Sequence, residues 1–200
     1  VPYSPEHKSE TRERILRSAR HLFNRKGFAE VTIDEIMADA GLTRGGFYSH
    51  FDTKEALYAE AIRQFICDGP EAWQRAHIDP SARGPKLGKM IIDAYLSKEH
   101  FEDRHGSCPM IGLPSDAARA GQAVKAAYRE VLQMMAGAFE ANLPVDESSA
   151  RSRALALVAL CVGGMVLSRA IDDPALAEDL RSAARSYAFT VSGWVDPTDA

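Results

Sequence analysis

The stretch TRGGFYSHFDTK, residues 43–54, gathers Thr43, Arg44, Tyr48, His50 and Lys54. Hydroxyl, guanidinium, phenol, imidazole and ammonium are all hydrogen-bond donors, the equipment needed to hold an anion. Thr43, Tyr48, His50 and Lys54 suit phosphate oxygens. Arg44 can donate two hydrogen bonds to a guanine edge. Between them lie Gly45 and Gly46. Each costs a helix interior roughly 1 kcal/mol relative to alanine. Bare positions let a helix backbone approach base edges in a major groove about 12 Å wide. Phe47 and Phe51 are four apart, share one helical face and turn inward, which leaves the donors on the other.

A second place for chemistry is Cys108, in HGSCPMIGLP (residues 105–114). Arg104 and His105 precede it, and nearby cations favour the thiolate. A loop cysteine so placed could sense electrophiles or oxidants; an inert loop cysteine is the plainer alternative. A Cys108 nucleophile with His105 or His100 as base would make an enzyme, but this spacing is no local catalytic signature. There is no phosphate-cradling glycine loop, no G-x-S-x-G elbow and no metal motif. His7, His21, His50, His77, His100 and His105 show no ligand spacing with a carboxylate partner. No enzymatic activity, metal or cofactor is expected. Cys67 and Cys161 sit in helical patterns and read as core.

The elements that position these groups are helical. The chain has 200 residues, 46% hydrophobic and 26% charged, with alanine frequent and no useful strand alternation. The longest apolar run, residues 154–167, is short for a bilayer and fits a buried helix. The start is polar, so no secretory signal is expected, and three scattered cysteines form no framework; a reducing cytoplasm is the expected setting. The net charge is −4, which disfavours general coating of nucleic acid. Through Arg63 basic and acidic residues balance at ten each, so the whole deficit lies behind it.

Periodicity predicts a first helix from Ser9, with Ile15, Leu16, Ala19, Leu22 and Phe23 as its apolar stripe, ended by Gly27. Thr32 and Glu35 form a capping box for a second helix buried through Ile33, Ile36, Met37 and Ala40. Gly41 ends it, and Thr43 caps a short third helix. Asp52 and Glu55 read as a further capping box, followed by a fourth helix through Leu57, Ala61, Ile62 and Phe65. Helix, short glycine turn, helix is the layout of a helix-turn-helix. The short helices' N-termini would add backbone donors for anions. Beyond it, helices are expected over residues 87–101, 115–142, 150–171 and 174–195, with residues 105–114 irregular because of two prolines and two glycines. Asp173 and Pro174 open the last helix.

VTIDEIMADAGLTRGGFYSHFDTKEALYAEAI, residues 31–62, resembles the DNA-binding region of the TetR/AcrR family of bacterial transcriptional regulators. Gly27-Phe28, Phe51, Lys54 and Leu57 fit it too. The resemblance covers about a third of the chain. It implies an all-α protein with an N-terminal helix-turn-helix DNA-binding domain (residues 1–66) and a larger C-terminal helical ligand-binding and dimerisation domain (residues 67–200). It implies a homodimeric repressor that leaves its operator when a small-molecule inducer binds. By motif position the DNA contacts would be Thr32, Thr43, Arg44, Gly45, Gly46, Tyr48, His50 and Lys54. Ser49 stands where an aromatic is common, and Gly46 offers no side chain, which leaves Arg44 as the main reader of sequence. The alternative is a helical interaction or redox-sensing module acting through Cys108 without DNA.

The rest is read from the residues. The last two helices carry more apolar face than one subunit needs, so a four-helix interface between two copies is expected. Its residues would be Gly163, Gly164, Leu176, Leu180, Tyr187, Val191 and Trp194, at alternating spacings of four and three on the last helix. Two recognition helices would then reach successive major grooves about 34–36 Å apart and need a palindromic operator. A ligand pocket is expected between the helices over residues 87–101 and 115–142. Trp73, Met90, Tyr95, Phe101, Cys108, Met110, Tyr128, Met135 and Phe139 are its candidate lining. No membrane partner is expected.

Overall fold

The computed structural model describes residues 5–67, 73–74, 76–103, 106, 108–144 and 147–194. The Cys67 side chain, Arg104 and His105 lie outside the described residues. Among those described the fold is all-α, with no strand. The helices are α1 (Pro5–Glu30), α2 (Ile33–Asp39), a 3-10 helix (Arg44–Ser49), α3 (Lys54–Cys67), α4 (Gly84–Tyr95), α5 (Lys98–Glu102), α6 (Pro109–Gly112), α7 (Pro114–Arg119), α8 (Gln122–Glu140), α9 (Glu147–Arg169) and α10 (Pro174–Ser192). Contacts divide the chain into two units: residues 1–67 with 104–131, and residues 68–103 with 132–200. Residues 104–131 therefore group with the N-terminal helices, although the sequence suggests one boundary after residue 66.

The first unit is built on the expected apolar stripe. Ile15, Leu16, Ala19 and Phe23 of α1 are buried with Ile36, Met37, Phe47, Phe51, Leu57, Tyr58 and Ile62. Full burial of one such side chain stabilises by roughly 1.5–3 kcal/mol. Gly27 breaks α1 where expected, with φ 79° and ψ 169°, a conformation that L side chains rarely adopt. The Phe28 N–H beyond the break donates to the Asp116 carboxylate at 2.8 Å.

Three local expectations are corrected here. Thr53, not Asp52, caps α3: its hydroxyl accepts the Ala56 N–H at 2.9 Å. Glu55 is thus one position too early to close a capping box, and it accepts the Gly121 N–H at 2.8 Å instead. Residues 105–114 are not wholly irregular, because Pro109 opens the helical turn α6, as proline does at a first helical position. The helix expected over 115–142 is two helices. α7 stops at Ala120, whose ψ of 170° is extended, and α8 resumes at Gln122. Glu55 fills the break: a Cβ on Gly121 would lie 2.5 Å from Glu55 Oε1.

In the second unit the helix expected over 87–101 is also divided. Ser97 caps α5, its hydroxyl accepting the His100 N–H at 3.0 Å. α9 packs along α10 with Ala154, Leu157, Val158, Cys161 and Met165 buried. Residues 149–169 are long and apolar enough to cross a membrane by composition alone, with mean hydropathy 1.6; in this fold part of that apolar surface is covered by α10. Asp173 caps α10 as expected, accepting the Ala175 and Leu176 N–H groups at 2.9 and 3.1 Å. Ser168 ties the pair together by donating to the Gly164 and Ala177 carbonyls at 2.6 and 3.0 Å. Burial pushes the Cys161 thiol up to about 12, as suits a core cysteine.

Candidate nucleic-acid interface

Local chemistry builds the site from α2 forward. The Thr32 hydroxyl accepts the Glu35 N–H at 3.1 Å, and Glu35 Oε2 accepts the Thr32 N–H at 2.9 Å. This is the capping box expected from the sequence. Lys26 Nζ donates to Glu35 Oε1 at 2.8 Å. The lysine first, then the Thr32 donors, hold the Glu35 carboxyl down at about 2. At the other end of α2, Gly41 has φ 67°. There the Gly41 N–H donates to the Ala38 carbonyl at 2.9 Å and the Leu42 N–H to the Met37 carbonyl at 2.8 Å. That pair is a Schellman stop, which turns the chain sharply at glycine. α1 braces the same end: Ser18 donates to the Ile36 carbonyl and Asp39, and Arg14 to the Ala40 carbonyl.

The segment over residues 44–49 is a 3-10 helix rather than an α-helix. Two glycines near its start weaken the α conformation, and the Gly46 N–H closes on the Thr43 carbonyl, three residues back, at 3.0 Å. Thr43 stands at the N-cap with no side-chain cap bond, so its hydroxyl is not spent there. Phe47 and Phe51 are buried side by side, ring centroids 5.9 Å apart. The Arg12 guanidinium lies 4.5 Å from the Phe51 ring centre. Thr43, Arg44, Gly45, Tyr48 and Ser49 are exposed, and Gly46 and His50 half-buried. Nothing lies within 4 Å of where a Gly45 Cβ would be, while Gly46 faces the Met37 methyl at 3.6 Å. Tyr48 is 60% exposed.

Two candidates are engaged inside the unit. Lys54 Nζ donates to the Val31 carbonyl at 2.5 Å and lies 4.2 Å from the Phe28 ring centre. Burial lowers its pKa, against the pull of Glu35 and Asp116. His50 Nδ1 is buried without a partner. Burial, then the charges of Lys8 and Arg12, lower its pKa. Sequence reasoning missed Asp34, which accepts from Arg44 Nη1 at 2.6 Å. Its one signal was an acidic residue in the first turn of α2, and nothing local pointed to a partner ten positions on.

The expected pocket residues separate. Cys108, Met110 and Tyr128 belong to the first unit, and Trp73, Met90, Tyr95, Phe101, Met135 and Phe139 to the second. Tyr128 donates to the Met110 carbonyl at 3.4 Å. Cys108 is 1% exposed, buried at the start of α6 rather than open in a loop. Phe101 stacks under the buried Arg181 guanidinium at 4.2 Å. A small cleft in the first unit is lined by Arg20, Phe23, Asn24, Tyr58, Ala61, Ile62, Pro109 and Leu113, none of them a predicted lining residue.

The expected interface residues also divide. Leu176 and Tyr187 are 48% and 66% exposed, while Leu180, Val191 and Gly163 are half-buried. Trp194 is buried within its own unit, donating from Nε1 to the Asn142 carbonyl at 3.1 Å. Gly164 faces Ala184, where an added Cβ would come within 2.6 Å. The buried face of α10 is Ala177, Arg181, Ala184, Ala188 and Ser192, and of its larger apolar side chains Leu176 and Tyr187 are exposed.

Residues 15–61 match the family model described as bacterial regulatory proteins, tetR family. The uncharacterized HTH-type transcriptional regulator YerO of Bacillus subtilis (strain 168) is 29% identical over 161 residues, 80% of this chain and 55% of that protein. YdgC of the same organism is 28% identical over 104 residues, 52% of this chain and 53% of that protein. The chain thus spans about half the length of these curated relatives. In fold it is similar to a TetR transcriptional regulator from Chloroflexus aurantiacus J-10-FL, with a TM-score of 0.74 at 23% identity over 92% of this chain and 96% of that one. The matched residues run from the α1 stripe through the capped α2, the Schellman turn and the exposed 3-10 helix into α3, and over that stretch this chain is similar to the tetR family of bacterial regulatory proteins.

Proposed function

We propose that the chain is a ligand-responsive, sequence-specific DNA-binding transcriptional regulator, a homodimeric repressor released from a palindromic operator by a small molecule. One observation carries the reading. The 3-10 helix and its N-cap leave Thr43, Arg44, bare Gly45 and Tyr48 exposed, above buried Phe47 and Phe51. A groove-reading segment needs this combination of close backbone, one forked donor and flanking phosphate donors. Thr32 and His50 flank it as further phosphate contacts, with Gly46 giving close approach. Lys54 acts from beneath through the Val31 carbonyl.

The second copy would cover the outward apolar side of α9 and α10, where Leu155, Leu167, Leu176 and Tyr187 are exposed. The inducer would bind among the aromatic and methionine side chains of the C-terminal helices, Tyr95, Phe101, Met90, Met135 and Phe139 among them. By linkage, an inducer that weakens DNA binding is weakened equally by DNA. Cytoplasmic action follows from this role. The burial of Cys108 gives the redox alternative no support.

Selection of bound duplexes from a random DNA library, with Arg44→Ala as control, tests the reading. A palindromic motif with half-sites about one helical turn apart, relaxed in the control, is the expected result. Absence of enrichment at low salt, where phosphate contacts are strongest, would overturn it.

A further inference from the structure

We propose that Asp34 is a specificity-determining residue that acts through Arg44, holding the guanidinium for a guanine edge and opposing its use on phosphates. The inference rests on the DNA-binding reading above and deepens it. Arg44 Nη1 donates to Asp34 Oδ2 at 2.6 Å, from the first residue of the 3-10 helix to the first turn of α2. Both side chains stand in solvent, 63% and 57% exposed, and Arg44 lies on the segment that carries Thr43, Gly45 and Tyr48.

An exposed ion pair does little for stability, so its consequence lies in what the arginine can do. A free arginine side chain holds about 2 kcal/mol of rotamer entropy, and the Asp34 bond restricts it before any base arrives. With Nη1 held, Nε and Nη2 remain as a parallel pair of donors, the fork that guanine O6 and N7 accept. The carboxylate also discriminates. If Arg44 turned aside to a phosphate, Asp34 would be left as an uncovered negative charge beside the backbone. Lys26 cannot replace it, being bound to Glu35 at 2.8 Å. A repulsive element of this kind weakens wrong complexes more than the right one.

The test uses the full chain. Wild type, Asp34→Asn, Asp34→Glu, Arg44→Ala and Asp34→Asn/Arg44→Ala are each put through library selection, then titrated on the selected duplex and on a scrambled one. Asp34→Asn is expected to bind the scrambled duplex on the order of ten times more tightly. It should lose preference at the base position that Arg44→Ala relaxes, and change the profile no further in the double variant. Asp34→Glu should restore the preference in part. General removal of a negative charge would raise affinity without moving the base profile, so an unchanged profile in Asp34→Asn overturns the inference. So does a change at a position that Arg44→Ala leaves alone. Failure of the wild type to enrich any motif overturns the DNA-binding reading, and this inference with it.

Discussion

The Asp116 carboxylate accepts the backbone N–H of Phe28 at 2.8 Å, joining positions 88 apart in sequence. Gly27 breaks α1 just before Phe28, and a Cβ there would lie 3.0 Å from Asp116 Oδ2. The break leaves a donor unmet, and Asp116 meets it as an N-cap side chain would. Asp116→Ala is expected to destabilise the protein by about 1–2 kcal/mol, read from the midpoint of urea unfolding. A wild-type midpoint would show that water serves the Phe28 N–H equally well.

Acid should expose the second capping device. The Glu35 carboxyl titrates at about 2 when folded, against an ordinary 4.5. A depressed folded pKa stabilises above the unfolded value and ceases to do so as pH falls through the folded one. The stability difference between wild type and Glu35→Gln should therefore be constant near neutrality and shrink from about pH 4.5 to pH 2. Chemical unfolding at stepped pH measures it, and a pH-independent difference would contradict the Lys26–Glu35 assignment.

Lys54 and Arg44 should part company in experiments that treat both as DNA contacts. Lys54→Ala removes a charged hydrogen bond to the Val31 carbonyl and a cation over the Phe28 ring. We expect a loss of about 1–3 kcal/mol of stability. Arg44→Ala should shift stability by less than about 0.5 kcal/mol while relaxing discrimination at the base position it reads. Thermal unfolding beside DNA titration separates the two, and equal melting temperatures would make Lys54 a surface contact only.

The outward face of α10 supplies the test of assembly. Leu176→Glu with Tyr187→Glu places two charges on its exposed apolar positions. Sedimentation should show a dimer become a monomer, with operator affinity falling at least about 100-fold because two linked half-sites become one. A dimer that survives both substitutions would place the interface elsewhere.

Local signals were legible where the partners lie within about one helical turn. The Thr32–Glu35 box, the Asp173 cap ahead of Pro174, the Gly27 break and the Gly41 stop are each set by backbone donors and neighbouring residues, so spacing found them. Spacing failed at Asp52, because Asp52 and Thr53 are both capping residues and only the position of the first turn chooses between them. It failed at residues 115–142, since helix propensity runs through Ala120 and Gly121 while Glu55, 66 positions away, takes the Gly121 N–H.

The sequence by itself determined the all-helical class, the order of the N-terminal helices and the buried Phe47–Phe51 face, because periodicity and capping are one-dimensional. Tertiary structure alone decided which donors remain outward. It engaged Lys54 with Val31, paired Arg44 with Asp34, turned Trp194 inward and sealed Cys108. A side chain's type states what it can bind. Whether that capacity faces solvent or is spent within the fold depends on contacts between residues far apart along the chain.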